Sequence, residues 1–284
     1  MNFDLSSPKT VKEILTKYET KPSKGMGQNF LVNKGALEKI IKSADLKKED
    51  VVLEVGPGIG TLTQELAKSV SKVIAIEKDK KMIEILKETL KEFKNVEIIQ
   101  GDILKTNIEL PKQYKLVANI PYYLTSPLIR KFLENPPNQN QPEEIILMVQ
   151  KEVAQRICAN PKNMSILAVS VQFYAKAKII FYVKKENFWP KPKVDSAIIK
   201  ITPQKLSPSV SVELFFKIVK AGFSQPRKQI GNNLLALSLL NGPKMLKLDK
   251  QQINLWLLKN KINPTQRAET LSVDNWISLT NTFQ

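Results

Sequence analysis

Residues 51–60 read VVLEVGPGIG, and this stretch limits what the chain can fold into more than any other. Val51, Val52, Leu53 and Val55 are β-formers in a run short enough for a buried parallel strand. Glycines at 56, 58 and 60 allow a sharp turn and a close approach of backbone to a ligand. Thr61 opens a helical pattern, whose first N–H groups would aim back at the turn. Strand, glycine turn and helix predict the first crossover of a doubly wound α/β fold, with its ligand at the carboxyl ends of the strands.

The glycine spacing narrows the ligand. A dinucleotide fingerprint reads G-x-G-x-x-G, whereas this stretch reads G-x-G-x-G with Glu54 two positions before the first glycine. An acid at the strand tip suits a cation better than a pyrophosphate. A nucleoside with a cationic centre and no phosphate is S-adenosylmethionine. The competing reading is a strand-to-helix turn with no ligand.

Composition points to an anionic partner. The chain of 284 residues carries 44 Lys and Arg against 27 Asp and Glu, a formal charge of +17. Such an excess implies nucleic acid, or else a Lys-rich solvated surface. One cysteine, Cys158, and no histidine leave no disulfide framework, no Cys or His metal site and no His-based triad. No apolar run reaches membrane-spanning length, and the N-terminus lacks the apolar centre of a signal peptide. A cytoplasmic location and no membrane partner are expected.

Further strands follow in order. Val73 to Ile76 ends at Glu77, an acid placed to bond ribose hydroxyls, or simply to start a helix. Val96 to Ile99 ends at Gly101-Asp102, where Asp102 is either an acceptor for an adenine amine or a turn residue. Leu116 to Ala118 ends in Asn119-Ile120-Pro121-Tyr122-Tyr123, and Ile145 to Val149 is a fifth, wholly apolar strand. Lys178 to Val183 and Val194 to Ile201 read as an antiparallel pair closing the sheet. Loops are expected at Lys21 to Leu31, at the proline-rich 135–142 and at the aromatic- and lysine-bearing 186–196, with a linker over 202–208. In the first of these, Phe30 and Leu31 either cover a ligand or anchor the loop in the core, and composition favours the anchor. From Val212 onward the pattern is helical. Two domains are therefore expected: residues 1–205, with an N-terminal arm over 1–30, and a helical domain over 206–284.

NIPYY carries the clearest chemistry. The Asn119 side-chain oxygen and the Ile120 carbonyl before Pro121 can each accept from an adenine N6 amine. Tyr122 can stack on the ring. Two acceptors favour an sp3-like nitrogen whose lone pair can attack a sulfonium methyl. Catalysis would come from positioning and electrostatics, with no obligatory general base.

GQNFL (27–31), EVGPGIGTLT (54–63), IEKD (76–79), GD (101–102), NIPYYLTSP (119–127) and FWPKPKVDSA (188–197) occur in this order. Together they resemble the rRNA adenine N6-dimethyltransferases. GFSQPRKQIGNNL (222–234) and NPTQRAETLS (263–272) resemble the branch acting on small-subunit rRNA.

The resemblance implies a Rossmann-like class I methyltransferase fold: a mostly parallel seven-stranded sheet with helices on both faces, plus a small helical RNA-binding domain. It implies S-adenosylmethionine contacts from Asn29, Leu31, Gly56, Glu77, Asp102 and Asn119, of which Asn29 and Leu31 rest on the resemblance alone. Asn119, Ile120, Pro121 and Tyr122 would receive the target adenine, with Phe188 on its other face. The substrate implied is a pair of adjacent adenosines in a hairpin loop near the 3′ end of 16S rRNA, in a precursor 30S subunit. Arg227, Lys228 and Arg267 are expected to contact phosphates, and a monomer is expected. Two departures stand out. Tyr123 replaces a common Asn, and Ile230-Gly231 replaces a more basic pair. Alternatives are the branch that dimethylates 23S rRNA in antibiotic resistance, and an assembly factor with little catalysis.

Overall fold

The computed structural model describes residues 3–134, 140–205, 210–237 and 248–283. The expected loop over 135–142 and linker over 202–208 fall partly outside these residues. The chain divides into two compact units: residues 1–154 with 176–203, and residues 155–175 with 204–284.

The first unit is built on a seven-stranded sheet. Its strands are β2 (Val51–Val55), β3 (Lys72–Glu77), β4 (Val96–Gln100), β5 (Lys115–Asn119), β6 (Glu144–Gln150), β7 (Ala175–Val183) and β9 (Ser196–Pro203), in the spatial order β4-β3-β2-β5-β6-β9-β7. The strands β4 to β6 run parallel, and β9 pairs antiparallel with β6. Buried residues run almost without break along β2, β3, β5 and β6, as a sheet covered on both faces requires. Strand order reverses between β2 and β5, which opens a crevice at their carboxyl ends.

The two strands expected to close the sheet do lie at that end, but β9 inserts between β6 and β7. Ala197, Ile198, Ile199 and Ile201 of β9 are wholly buried. β7 instead alternates buried and exposed positions, with Lys176 outward, and suits an edge.

Helix α1 (Pro8–Lys17) begins with Pro8 after the Ser7 cap position and buries Val11, Ile14 and Leu15. These pack with Ile59, Met82 and Ile85, so the N-terminal arm is fastened to the glycine turn and to helix α4 (Lys80–Thr89). Each such aliphatic side chain contributes about 1.5–3 kcal/mol by burial. Lys17 and Tyr18 add bonds to the Glu88 carboxylate. Between them in sequence lie α2 (Lys34–Ser43), capped by the Asn33 side chain, and α3 (Thr61–Ser69). The expected loop over 21–31 ends in a two-residue strand, β1 (Phe30–Leu31), paired antiparallel with β8 (Phe188–Trp189). Helices α5 (Thr125–Glu134) and α6 (Lys151–Ile157) follow β5 and β6.

The second unit is helical: α7 (Ile166–Tyr174), α8 (Val212–Gly222), α9 (Ile230–Leu234), α10 (Lys250–Lys259) and α11 (Val273–Asn281). Residues 155–175, expected within a continuous 1–205 domain, belong to this unit instead. The physical reason is aromatic. Phe173 stacks on Phe215 with ring centres 4.0 Å apart, and Phe216 packs against both Phe173 and Tyr174. The backbone N–H groups of Lys162 and Met164 also donate to the Glu269 carbonyl. Among the described residues no helix is long and apolar enough to cross a membrane.

Candidate active site

The crevice at the reversal point holds a cavity formed by the tips of four parallel strands. β2 delivers the glycine turn. Gly56 and Gly58 have φ of +68° and +61°, a conformation costly for any residue with a Cβ. The turn is tied to its neighbour: Gly56 N–H donates to the Ile76 carbonyl at 2.9 Å. Gly101 N–H donates to the Glu77 carbonyl at 2.8 Å, which ties in the β4 tip as well.

Glu77 ends β3 and is 7% exposed. Its carboxylate accepts from the N–H groups of Gly58 (3.1 Å), Lys78 (2.8 Å) and Asp79 (2.9 Å). Burial still raises its pKa above the usual carboxylate range, because it outweighs those three bonds. Glu54, two residues before the glycines, is 1% exposed, and among the described residues its Oε2 has no hydrogen-bond partner. Burial pushes its carboxyl up to about 8, with the Thr63 hydroxyl opposing and the Glu77 charge adding to the rise. Glu54 is therefore mostly a neutral acid at pH 7, beside a Glu77 carboxyl held by three backbone N–H groups.

Asp102 follows β4. One oxygen accepts from Leu104 N–H and the other from Lys78 Nζ, both at 3.0 Å. Burial acts to raise its carboxyl, but the Leu104 N–H and the Lys78 ammonium outweigh this and hold it below the usual range. Lys78 also lines the cavity and was not singled out in the sequence.

Asn119 ends β5, opposite Met148 in the β5–β6 register. Among the described residues its side chain makes no hydrogen bond, so its amide remains unspent at the strand tip. Ile120 is buried, and Pro121 starts a single 3-10 turn over Tyr122–Leu124. The Tyr122 carbonyl accepts from the Thr125 hydroxyl, which fixes that turn. The Tyr122 hydroxyl lies 2.9 Å from the Ser196 hydroxyl.

A further wall, beside the four strand tips, comes from the β1–β8 pair. Leu31 sits opposite Phe188, and the two are 2% and 4% exposed. Both belong to the core as well as to the cavity lining, so the anchoring role expected of Leu31 and its place at the cavity coexist. Phe30 is likewise buried, against α1 and the glycine turn. Asn29 lines the cavity and donates to the Gly27 carbonyl.

Asn29, Leu31, Gly56, Glu77, Asp102 and Asn119 thus meet around one cavity, together with Ile120, Pro121, Tyr122 and Phe188. Arg227, Lys228 and Arg267 do not: they are exposed on the second unit, and Arg267 lies 3.6 Å from Glu269. The sequence noted the acid at position 54 but not its isolation. The signal available was a lone carboxylate inside an otherwise apolar strand.

A mostly parallel seven-stranded sheet, with a glycine turn at its reversal point and acids at the next two strand tips, defines a Rossmann-like methyltransferase. A dimethyladenosine transferase structure from Plasmodium falciparum is similar with a TM-score of 0.73 and 31% identity, covering 87% of this chain and 94% of its own. The 23S rRNA methyltransferase ErmE is similar with a TM-score of 0.70 and 25% identity, covering 88% of this chain and 97% of its own. The chain belongs to the ribosomal RNA adenine dimethylase family, whose sequence model matches residues 19–284. A ribosomal RNA small subunit methyltransferase A from Dehalococcoides mccartyi is 44% identical over 94% of this chain and 90% of its own length. The protein of that name from Bacillus licheniformis is 40% identical over 99% and 98%. The protein is an rRNA adenine dimethyltransferase.

Proposed function

We propose that this enzyme transfers methyl groups from S-adenosylmethionine to N6 of two adjacent adenosines in a hairpin loop near the 3′ end of 16S rRNA. The small-subunit names of relatives similar over nearly the full chain support that choice of RNA. The observation that carries the chemistry is the unspent Asn119 amide, at a strand tip of the same cavity that holds the glycine turn, Glu77 and Asp102.

The donor set fits the cofactor. A glycine turn rimmed by the Glu77 carboxyl, whose oxygen occupies the Gly58 N–H, suits a cation better than a pyrophosphate. Gly56, Glu77, Asp102, Asn29, Leu31 and Asn119 would hold it, Glu77 through ribose hydroxyls and Asp102 through the adenine amine. When bound, it supplies a methyl on a positively charged sulfur, which the target nitrogen takes with loss of a proton and release of the neutral thioether.

The chain's own residues do the rest. Asn119 Oδ1 and the Ile120 carbonyl accept from the target amine and draw its lone pair out of conjugation with the ring. Pro121 fixes the turn that presents them. Tyr122 and Phe188 flank the base. Loop adenines are cheaply splayed out of the stack, which suits such recognition. The helical unit, with Arg227, Lys228 and Arg267, would bind rRNA phosphates of a precursor 30S particle in the cytoplasm, the enzyme acting as a monomer.

Asn119→Ala tests this reading. Methyl transfer to undermethylated 30S particles should fall by about a hundredfold or more, with the thermal midpoint unchanged. Unchanged transfer would remove the site assignment. Primer extension on both rRNAs decides the substrate: stops in 23S rather than 16S rRNA would move the chain to the other branch.

A further inference from the structure

Tyr122 is one of the flanking walls of the proposed base site, and its hydroxyl is not free. It lies 2.9 Å from the hydroxyl of Ser196, the first residue of β9. Ser196 is 0% exposed, and among the described residues its hydroxyl has no other hydrogen-bond partner. The serine is itself pinned. It sits opposite Gln150 in the β6–β9 register. Its neighbour Asp195 accepts from Lys151 N–H through the carbonyl and from Lys185 N–H through the carboxylate, both at 3.0 Å.

We propose that Ser196 is a positioning residue for methyl transfer: its hydroxyl holds the Tyr122 hydroxyl and so sets the direction in which the ring reaches toward the target adenine. The proposal rests on the assignment of Tyr122 to the target base. The segment 188–196 then governs both walls of that site. Phe188 at its start is locked beside Leu31, and Ser196 at its end locks Tyr122. The Tyr122 backbone is fixed separately by the Thr125 hydroxyl, so the far end of the ring is left free to swing about the Cα–Cβ bond, and the Ser196 contact holds it. Burial raises the Tyr122 pKa, so the contact is between two neutral hydroxyls through the ordinary pH range.

A buried hydroxyl pair that merely satisfies itself would affect stability and nothing else. A positioning pair affects turnover, and its two members do so as a unit. Steady-state kinetics on undermethylated 30S particles should be measured for Ser196→Ala, Tyr122→Phe, the double variant and Tyr122→Ala. Each of the first two should lower kcat about tenfold, the worth of one hydrogen bond, with KM for the methyl donor unchanged. The double variant should fall no further than either. 2-Aminopurine placed at the target position should be less quenched in Ser196→Ala than in the parent enzyme. Additive losses, or a Ser196→Ala enzyme with parental kcat, would overturn the proposal. Loss of activity in Tyr122→Ala with full activity in both hydroxyl variants would overturn it while sparing the Tyr122 assignment. Full activity in Tyr122→Ala would overturn both.

Discussion

The Glu77 carboxylate accepts from the backbone N–H of Gly58 at 3.1 Å, so the tip of one strand holds the shape of the turn that follows another. Glu77 is thereby both a candidate ribose ligand and part of the frame of the cavity. One oxygen faces the turn, and the other gathers Lys78 and Asp79 N–H at the start of α4.

Glu77→Ala should therefore do more than remove a ligand contact. Three N–H groups lose their acceptor, and the chain should lose about 1–3 kcal/mol of stability. Glu77→Gln keeps one acceptor oxygen and should lose less. Denaturant titration gives the stability order, and calorimetry should show the same order for cofactor affinity.

Gly58→Ala places a Cβ at φ +61° and 3.1 Å from the Phe30 ring. Strain alone should cost about 1–2 kcal/mol. Phe30 must also shift, and with it the β1 strand that carries Leu31. A lowered melting temperature together with weakened cofactor binding is expected. Gly25→Ala, whose Cβ would meet only the Ser23 hydroxyl at 3.9 Å, should change neither.

Glu54 makes stability depend on pH. Its folded pKa, about 8, stands above the ordinary glutamate value of 4.5. Between those values the unfolded chain has released the proton and the folded chain retains it. Stability therefore falls as pH rises from about 4.5, by at most about 1.4 kcal/mol per pH unit from this group, and levels off above about 8. Glu54→Gln should flatten that part of the curve. Thermal unfolding of both proteins at intervals from pH 5 to pH 9 checks it; parallel curves would refute it.

Arg227, Lys228 and Arg267 are exposed cations on the helical unit. If each meets a phosphate, replacing one by Ala should reduce the slope of log affinity against log salt by about 0.7–0.9. Filter binding to precursor 30S particles over a salt series measures this. Lys9, also exposed but on α1 of the first unit, serves as the control and should leave the slope unchanged.

Much of the cavity was legible because its parts are local. A β-rich run followed by glycines at 56, 58 and 60 declares a strand and a turn without reference to the rest of the chain. Glu77 and Asn119 stand directly after an apolar run and Asp102 three residues after one, and strand tips of a doubly wound sheet converge. Distant pairing was not legible. Phe30–Leu31 and Phe188–Trp189 are two-residue strands, too short for any periodicity, and they meet only in the folded chain. The insertion of β9 beside β6 leaves no local trace either. Residues 155–175 looked continuous with the sheet because their apolar pattern does not say which partner will bury it; Phe215 and Phe216, far along the chain, decide that. The isolation of Glu54 likewise depends on what surrounds it in space.

The ladder between β1 and β8 has a bearing on how the enzyme comes into being. During synthesis the glycine turn and the first strand tips emerge early, but Phe188 and Trp189 must leave the ribosome before Leu31 gains its partner. A nascent chain stopped short of that point has a groove open on one side. Competence to hold the methyl donor should therefore arrive in a single late step, and length-arrested chains should pass from non-binding to binding once β8 has been delivered.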